Sequence, residues 1–154
     1  MDTLATPVDG EDPIETPALV FFPDEATVAV GYSVTVQVFA LAVEDLAGAY
    51  IRINYDQAKL SLLTAAEGDF FESGLGTIFL SEDDNTNGIL EIHTSYLGDD
   101  TVSVIGTGSI ADLVFSSRSP GQTTLTYSTE SSFVDPDNIP ITILGYGEGV
   151  IVAQ

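Results

Sequence analysis

A regular alternation of apolar and polar side chains between Gly48 and Tyr55 constrains the fold more than any other feature of the sequence. Successive side chains of a β-strand point to opposite faces of its sheet, so alternation with a period of two indicates a strand with one buried face. The segment therefore predicts a strand whose inward set is Ala49, Ile51, Ile53 and Tyr55 and whose outward set is Tyr50, Arg52 and Asn54.

The same period recurs along most of the chain after residue 18. Turn-forming pairs such as Asn87-Gly88 and Pro120-Gly121 separate the apolar stretches. Many short strands divided by turns predict an all-β protein, and in particular an antiparallel β-sandwich. The further predicted strands span residues 18–22, 27–30, 33–43, 59–64, 77–80, 89–96, 109–117, 123–128, 141–144 and 150–153.

The charge balance excludes two classes of partner. The chain has 154 residues with 24 acidic and three basic side chains, which gives a net charge of −21. Such a surface repels phosphate groups, so neither nucleic acid nor an anionic membrane is an expected partner. Cysteine is absent, so the sequence offers no disulfide framework.

Residues 1–17 differ in composition from the remainder. They combine acidic residues with Pro7, Pro13 and Pro17 and contain few large apolar side chains, so they predict a linker or tail. The first residues also lack the basic start and apolar core of a signal peptide. We expect residues 18–154 to form a single β-sandwich domain that is a monomeric module of a larger protein.

The alternation also predicts which side chains of four strands face solvent together. In the strand that begins at Thr77, Ile78 and Leu80 are assigned to the core and Phe79 to the surface. The outward set contains one of the three cations, the only histidine and two aromatic side chains, types that protein interfaces favour. The predicted binding residues are Tyr50, Arg52, Asn54, Phe79, Glu91, His93, Thr124 and Thr126.

A polar segment before the strand at residue 89 resembles half of a calcium-binding loop. Asp83, Asn85 and Asn87 stand at alternate positions and Gly88 follows, as in the first half of an EF-hand loop. The twelfth position of that pattern is Thr94 rather than a bidentate glutamate. The alternative is a hairpin turn that ends in Asn-Gly.

Catalytic chemistry is not indicated. His93 lies in the middle of a predicted strand, and no Gly-x-Ser-x-Gly motif accompanies it. We therefore predict that the chain is not an enzyme and carries no cofactor of its own.

Two segments resemble the cohesin family. The segment from Gly48 to Asp56, followed by Leu60, is similar to the third-strand region of cohesins, nearer to the second type or to non-cellulosomal relatives. The segment Gly106-Thr-Gly-Ser-Ile-Ala-Asp-Leu-Val-Phe115 resembles the Gly-x-Gly-x-Ile-Ala-x-Leu-x-Phe strand of the same family.

This resemblance implies a nine-stranded jelly roll that belongs to an extracellular or cell-surface scaffoldin, as in a cellulosome. It also implies that one flat sheet face binds a dockerin module, and that the calcium of such a complex is carried by the dockerin. Two alternatives stay open, namely a carbohydrate-binding module and a structural spacer or adhesin domain of a surface protein.

Overall fold

The computed structural model describes residues 14–71, 77–96 and 103–154, and these residues form an all-β structure. No helix in these ranges is long and apolar enough to cross a bilayer. The strands are β1 (Ala18–Phe22), β2 (Glu25–Val28), β3 (Ser33–Leu46), β4 (Gly48–Asn54), β5 (Leu60–Glu67), β6 (Thr77–Asp84), β7 (Ile89–Tyr96), β8 (Val104–Ser117), β9 (Gly121–Tyr127), β10 (Ser132–Val134), β11 (Pro140–Ile141), β12 (Gly145–Tyr146) and β13 (Gly149–Ala153).

The strands form two sheets that enclose a common core. The first sheet has the order β12-β1-β3-β8-β5. The second has the order β11-β10-β4-β9-β13-β2, and β7 and β6 extend it on the other side of β4. Pairs β1–β12 and β2–β13 are parallel, whereas the other described ladders are antiparallel. The predicted all-β sandwich is therefore confirmed.

The number of strands depends on how the short ones are treated. The described residues form thirteen strands, and nine of these contain five or more residues. The short strands β2, β10, β11 and β12 lie at or next to the edges of the sheets. A count of nine strands therefore stays a prediction, while the two-sheet architecture does not depend on it.

The core consists of the inward halves of the alternating strands. Ile51 and Ile53 of β4, and Leu90 and Ile92 of β7, are fully buried in one cluster with residues of the first sheet such as Phe115. Burial of one such side chain contributes about 1.5–3 kcal/mol. A slip of one residue would expose the whole inward set, so the core determines the register of β4 and β7.

The hairpin of β6 and β7 is fastened to the end of β4. The Tyr55 amide donates a hydrogen bond of 2.9 Å to the carbonyl of Gly88 in the hairpin turn. Gly88 has a φ of +71°, and a Cβ atom there would lie 2.0 Å from the Tyr55 carbonyl oxygen. The Tyr55 hydroxyl also donates a hydrogen bond of 2.5 Å to Asp83 of β6. These contacts fix β6 and β7 relative to β4.

The predicted orientation of β6 is wrong. Phe79 lies opposite Thr94, which is 3% exposed, and it packs against the core from a half-buried position. Leu80 lies opposite His93 instead, and Ile78 and Leu80 are exposed. The run Ile-Phe-Leu is apolar at every position, so it has no alternation that would assign one face to the core. The pairing with β7 makes the choice, because opposite residues in an antiparallel ladder share a face.

Candidate protein-binding face

The outward face of β6, β7, β4 and β9 brings together most of the predicted binding residues. In β4 the outward residues are half-buried between fully buried neighbours, as the alternation predicts. The outward residues of β7 and β9 also alternate with buried neighbours, and among them His93 is exposed rather than half-buried. Phe79 is the exception, since it lies on the inner side of β6. The residues that share the outward face are Tyr50, Arg52, Asn54, Glu91, His93, Thr124 and Thr126.

An apolar row crosses the face. Tyr50 of β4 lies opposite His93 of β7, and His93 lies opposite Leu80 of β6. The Tyr50 and His93 rings are 4.8 Å apart between centroids, with an interplanar angle of 37°. Leu80 is 55% exposed, and Ile78 beside it is also exposed. We call Leu80, His93 and Tyr50 the apolar row. It offers aliphatic and aromatic surface to a partner.

A charged row lies next to the apolar row. Arg52 of β4 lies opposite Glu91 of β7, and Glu91 lies opposite Glu82 of β6. We call Glu82, Glu91 and Arg52 the charged row. The Tyr50 hydroxyl joins the two rows, because it donates a hydrogen bond of 2.5 Å to the Glu91 carboxylate. That hydrogen bond, with burial second, raises the pKa of Tyr50 above its ordinary value.

The connection from β9 to β10 holds Arg52 in place. The Arg52 guanidinium forms an ion pair of 2.8 Å with Glu130. The Arg52 main-chain amide donates to the Ser131 hydroxyl oxygen, and the Ser128 amide donates to the Arg52 carbonyl. The positive charge of Arg52 is therefore directed toward the turn. Sequence reasoning missed Glu130, because nothing in a turn residue shows which strand it reaches.

A half-open groove runs along the charged row toward the hairpin turn. Its volume is about 410 Å³. Four of its lining side chains are acidic, with Arg52 on one wall and the aliphatic Ile89 among them. The lining residues are Arg52, Glu82, Asp83, Asp84, Ile89 and Glu91.

The predicted calcium loop forms the hairpin turn. Asp83 accepts the hydrogen bond from Tyr55, and the Asn87 side-chain amide donates to Asp84 at 2.9 Å. The Asp84 carboxylate also accepts from the main-chain amides of Thr86 and Asn87. The bonds from Asn87, its side chain first, lower the pKa of Asp84. These contacts fit the alternative of a polar hairpin turn. Across the described part of the chain, no group of three or more acidic or histidine side chains is placed to hold a metal ion.

The geometry bears on the carbohydrate alternative as well. A sugar-binding platform presents flat aromatic rings in a row, and Tyr50 and Phe79 are the two such rings in the predicted binding set. The structure puts these two rings on opposite sides of the sheet, since Phe79 packs against the core. Tyr50 is instead tilted against His93. This arrangement favours a surface with mixed chemistry over a sugar platform.

The fold and this face place the chain among β-sandwich modules with an open, partly apolar sheet. The family model of the cohesin domain matches residues 19–142. The chain therefore belongs to the cohesin domain family, and the expected resemblance is confirmed. No curated protein matches the chain.

Solved cohesin structures share the fold. A type II cohesin from the cellulosome of Acetivibrio cellulolyticus is 18% identical, with a TM-score of 0.77 over 89% of this chain and 95% of that one. A non-cellulosomal cohesin from the archaeon Archaeoglobus fulgidus is 13% identical, with a TM-score of 0.73 over 89% and 90%. The third ScaC cohesin of A. cellulolyticus, solved with the ScaB dockerin, is 20% identical, with a TM-score of 0.72 over 84% and 94%.

Proposed function

We propose that this module binds a dockerin module of a partner protein through the outward face of β6, β7, β4 and β9. The observation that carries the proposal is the apolar row with the charged row beside it on the same face. Protein interfaces combine an apolar and aromatic centre with a polar rim. The apolar row supplies the apolar and aromatic surface, and the polar rim includes Asn54, Thr124 and Thr126.

Membership of the cohesin family supports the choice of partner. The ScaC cohesin, which has a similar fold, was solved in complex with a dockerin. The face itself is preformed, because fully buried side chains fix the register of β4 and β7. A rigid face loses little conformational entropy on binding.

The wider assignment follows from the same proposal. The module acts without catalysis and without a cofactor of its own, and calcium enters the complex with the dockerin. Residues 18–154 form the binding module and residues 1–17 a linker in an extracellular or cell-surface scaffoldin. A net charge of −21 supports solubility in such a location.

Calorimetric titration of the protein against calcium-loaded dockerins encoded in the same genome tests the proposal. We expect saturable binding of at least one dockerin, and loss of that binding when the dockerin is chelated. Polysaccharide binding without dockerin binding would instead identify a carbohydrate-binding module. A protein that binds neither would be a structural spacer, and the proposal would be wrong.

A further inference from the structure

Two glutamates of the charged row face each other across adjacent strands. Glu82 of β6 and Glu91 of β7 are directly opposite in the antiparallel register, and both lie on the outward face. Like charges in that position destabilise a sheet. Arg52 borders Glu91 on its other side, but its ion pair is with Glu130, and Glu91 instead accepts a hydrogen bond from the uncharged Tyr50 hydroxyl. The free module therefore keeps two like charges side by side on its proposed binding surface.

The groove next to this pair has room for a side chain of a partner. Its volume of about 410 Å³ lies within the range of small-ligand sites. A metal ion is not the favoured occupant, because no described group of three or more acidic or histidine side chains could hold one. The end of one lysine or arginine side chain is opposite in charge to Glu82 and Glu91 and can donate hydrogen bonds to both carboxylates. Unlike a metal ion, it does not require a full set of ligands.

The two rows lie close enough for one partner to contact both of them. Leu80 and Glu82 are two residues apart on β6, which corresponds to about 7 Å along the strand. A partner can therefore place an apolar side chain against Leu80 and a cationic side chain against Glu82 at the same time.

We infer that Glu82 and Glu91 receive a lysine or arginine side chain from the partner, and that an apolar side chain of the partner about 7 Å away packs on Leu80. This inference rests on the proposed function and specifies the chemistry of the partner. The partner's cation relieves the repulsion between the two carboxylates. The module therefore gives up some stability when free and gains affinity when bound.

The substitution Glu82→Gln tests both halves of the inference, and Glu25→Gln is its matched control. Glu25 is an exposed glutamate on the far edge of the same sheet, but it lies opposite the uncharged Val150. We expect Glu82→Gln to raise the Tm of the free module by about 1–3 °C. We also expect it to weaken binding of the dockerin identified by titration about tenfold, measured at constant calcium. Glu25→Gln should change neither quantity.

The outcomes separate this inference from the proposed function. If Glu82→Gln binds the dockerin as tightly as the wild type, the inference is wrong and the proposed function stands. If no dockerin binds the wild type, both are wrong. If calcium chloride alone raises the Tm of the free wild type but not of Glu82→Gln, the groove holds a metal ion, and the inference is overturned.

Discussion

The hydroxyl of Tyr127 on β9 donates a hydrogen bond of 2.7 Å to the main-chain carbonyl of Val20 on β1 and so joins the two sheets. The Tyr127 ring also stacks on Phe21, with 4.3 Å between centroids and an interplanar angle of 9°. The sandwich is thus held at this point by a directional contact as well as by apolar burial.

Tyr127→Phe should therefore lower the free energy of unfolding by about 1–2 kcal/mol, because it removes the hydrogen bond and keeps the ring. Urea unfolding followed by fluorescence or circular dichroism measures this change. Tyr32→Phe is the matched control, since Tyr32 is 69% exposed. Equal stability of the two variants would show that the hydroxyl contributes nothing.

Alkaline pH should destabilise the module. Burial raises the pKa of Tyr127 well above its ordinary value, and burial followed by the hydrogen bond to Asp83 raises that of Tyr55. Groups with a raised pKa stay protonated in the folded state while the unfolded chain ionises near pH 10. Their stabilisation is complete below pH 10 and is lost as the pH rises above it. The urea concentration at the unfolding midpoint should decrease as the pH is raised from 9 to 11. The decrease should be smaller in Tyr127→Phe than in the wild type.

Gly88→Ala should loosen the hairpin that carries half of the binding face. The new Cβ atom would lie 2.0 Å from the Tyr55 carbonyl oxygen, so the contact between hairpin and β4 must open. Gly31→Ala is the matched control, because Gly31 also has a positive φ but nothing lies within 4 Å of its Cβ position. Both variants carry backbone strain of about 1 kcal/mol. Thermal unfolding should show a clearly larger loss of stability for Gly88→Ala.

Leu80→Ala should weaken dockerin binding about tenfold or more and leave the stability of the module nearly unchanged. Leu80 is exposed at the edge of the apolar row, so its truncation removes partner contact without opening a core cavity. Leu63 of β5, in the other sheet, is also 55% exposed, and Leu63→Ala is the matched control. Calorimetric titration measures both, and equal losses in the two variants would place the binding face elsewhere.

The sequence predicts the orientation of a strand only where apolar and polar residues alternate. Tyr50 stands between Ala49 and Ile51, and Arg52 between Ile51 and Ile53, so the alternation predicts their outward position. Phe79 stands between Ile78 and Leu80, and its position is set by pairing with β7, which the sequence does not encode locally. Glu130 lies far from Arg52 along the chain, so their ion pair required the fold.

The same limit applies to the hairpin turn. The alternate positions of Asp83, Asn85 and Asn87 suggested calcium ligands, but Asp84 between them accepts the hydrogen bonds that shape the turn. Ligand spacing describes which oxygens could converge. It does not describe which of them the neighbouring amides and the Tyr55 hydroxyl already occupy.

The acidic end of β6 opposes sheet pairing between neighbouring copies of the module. In the described part of the second sheet β6 is an edge strand, and edge strands can pair with an edge strand of another molecule. Glu82, Asp83 and Asp84 end this strand, so a second copy would have to strip water from three carboxylates to extend the ladder. Copies of the module can therefore lie close together without joining their sheets through β6.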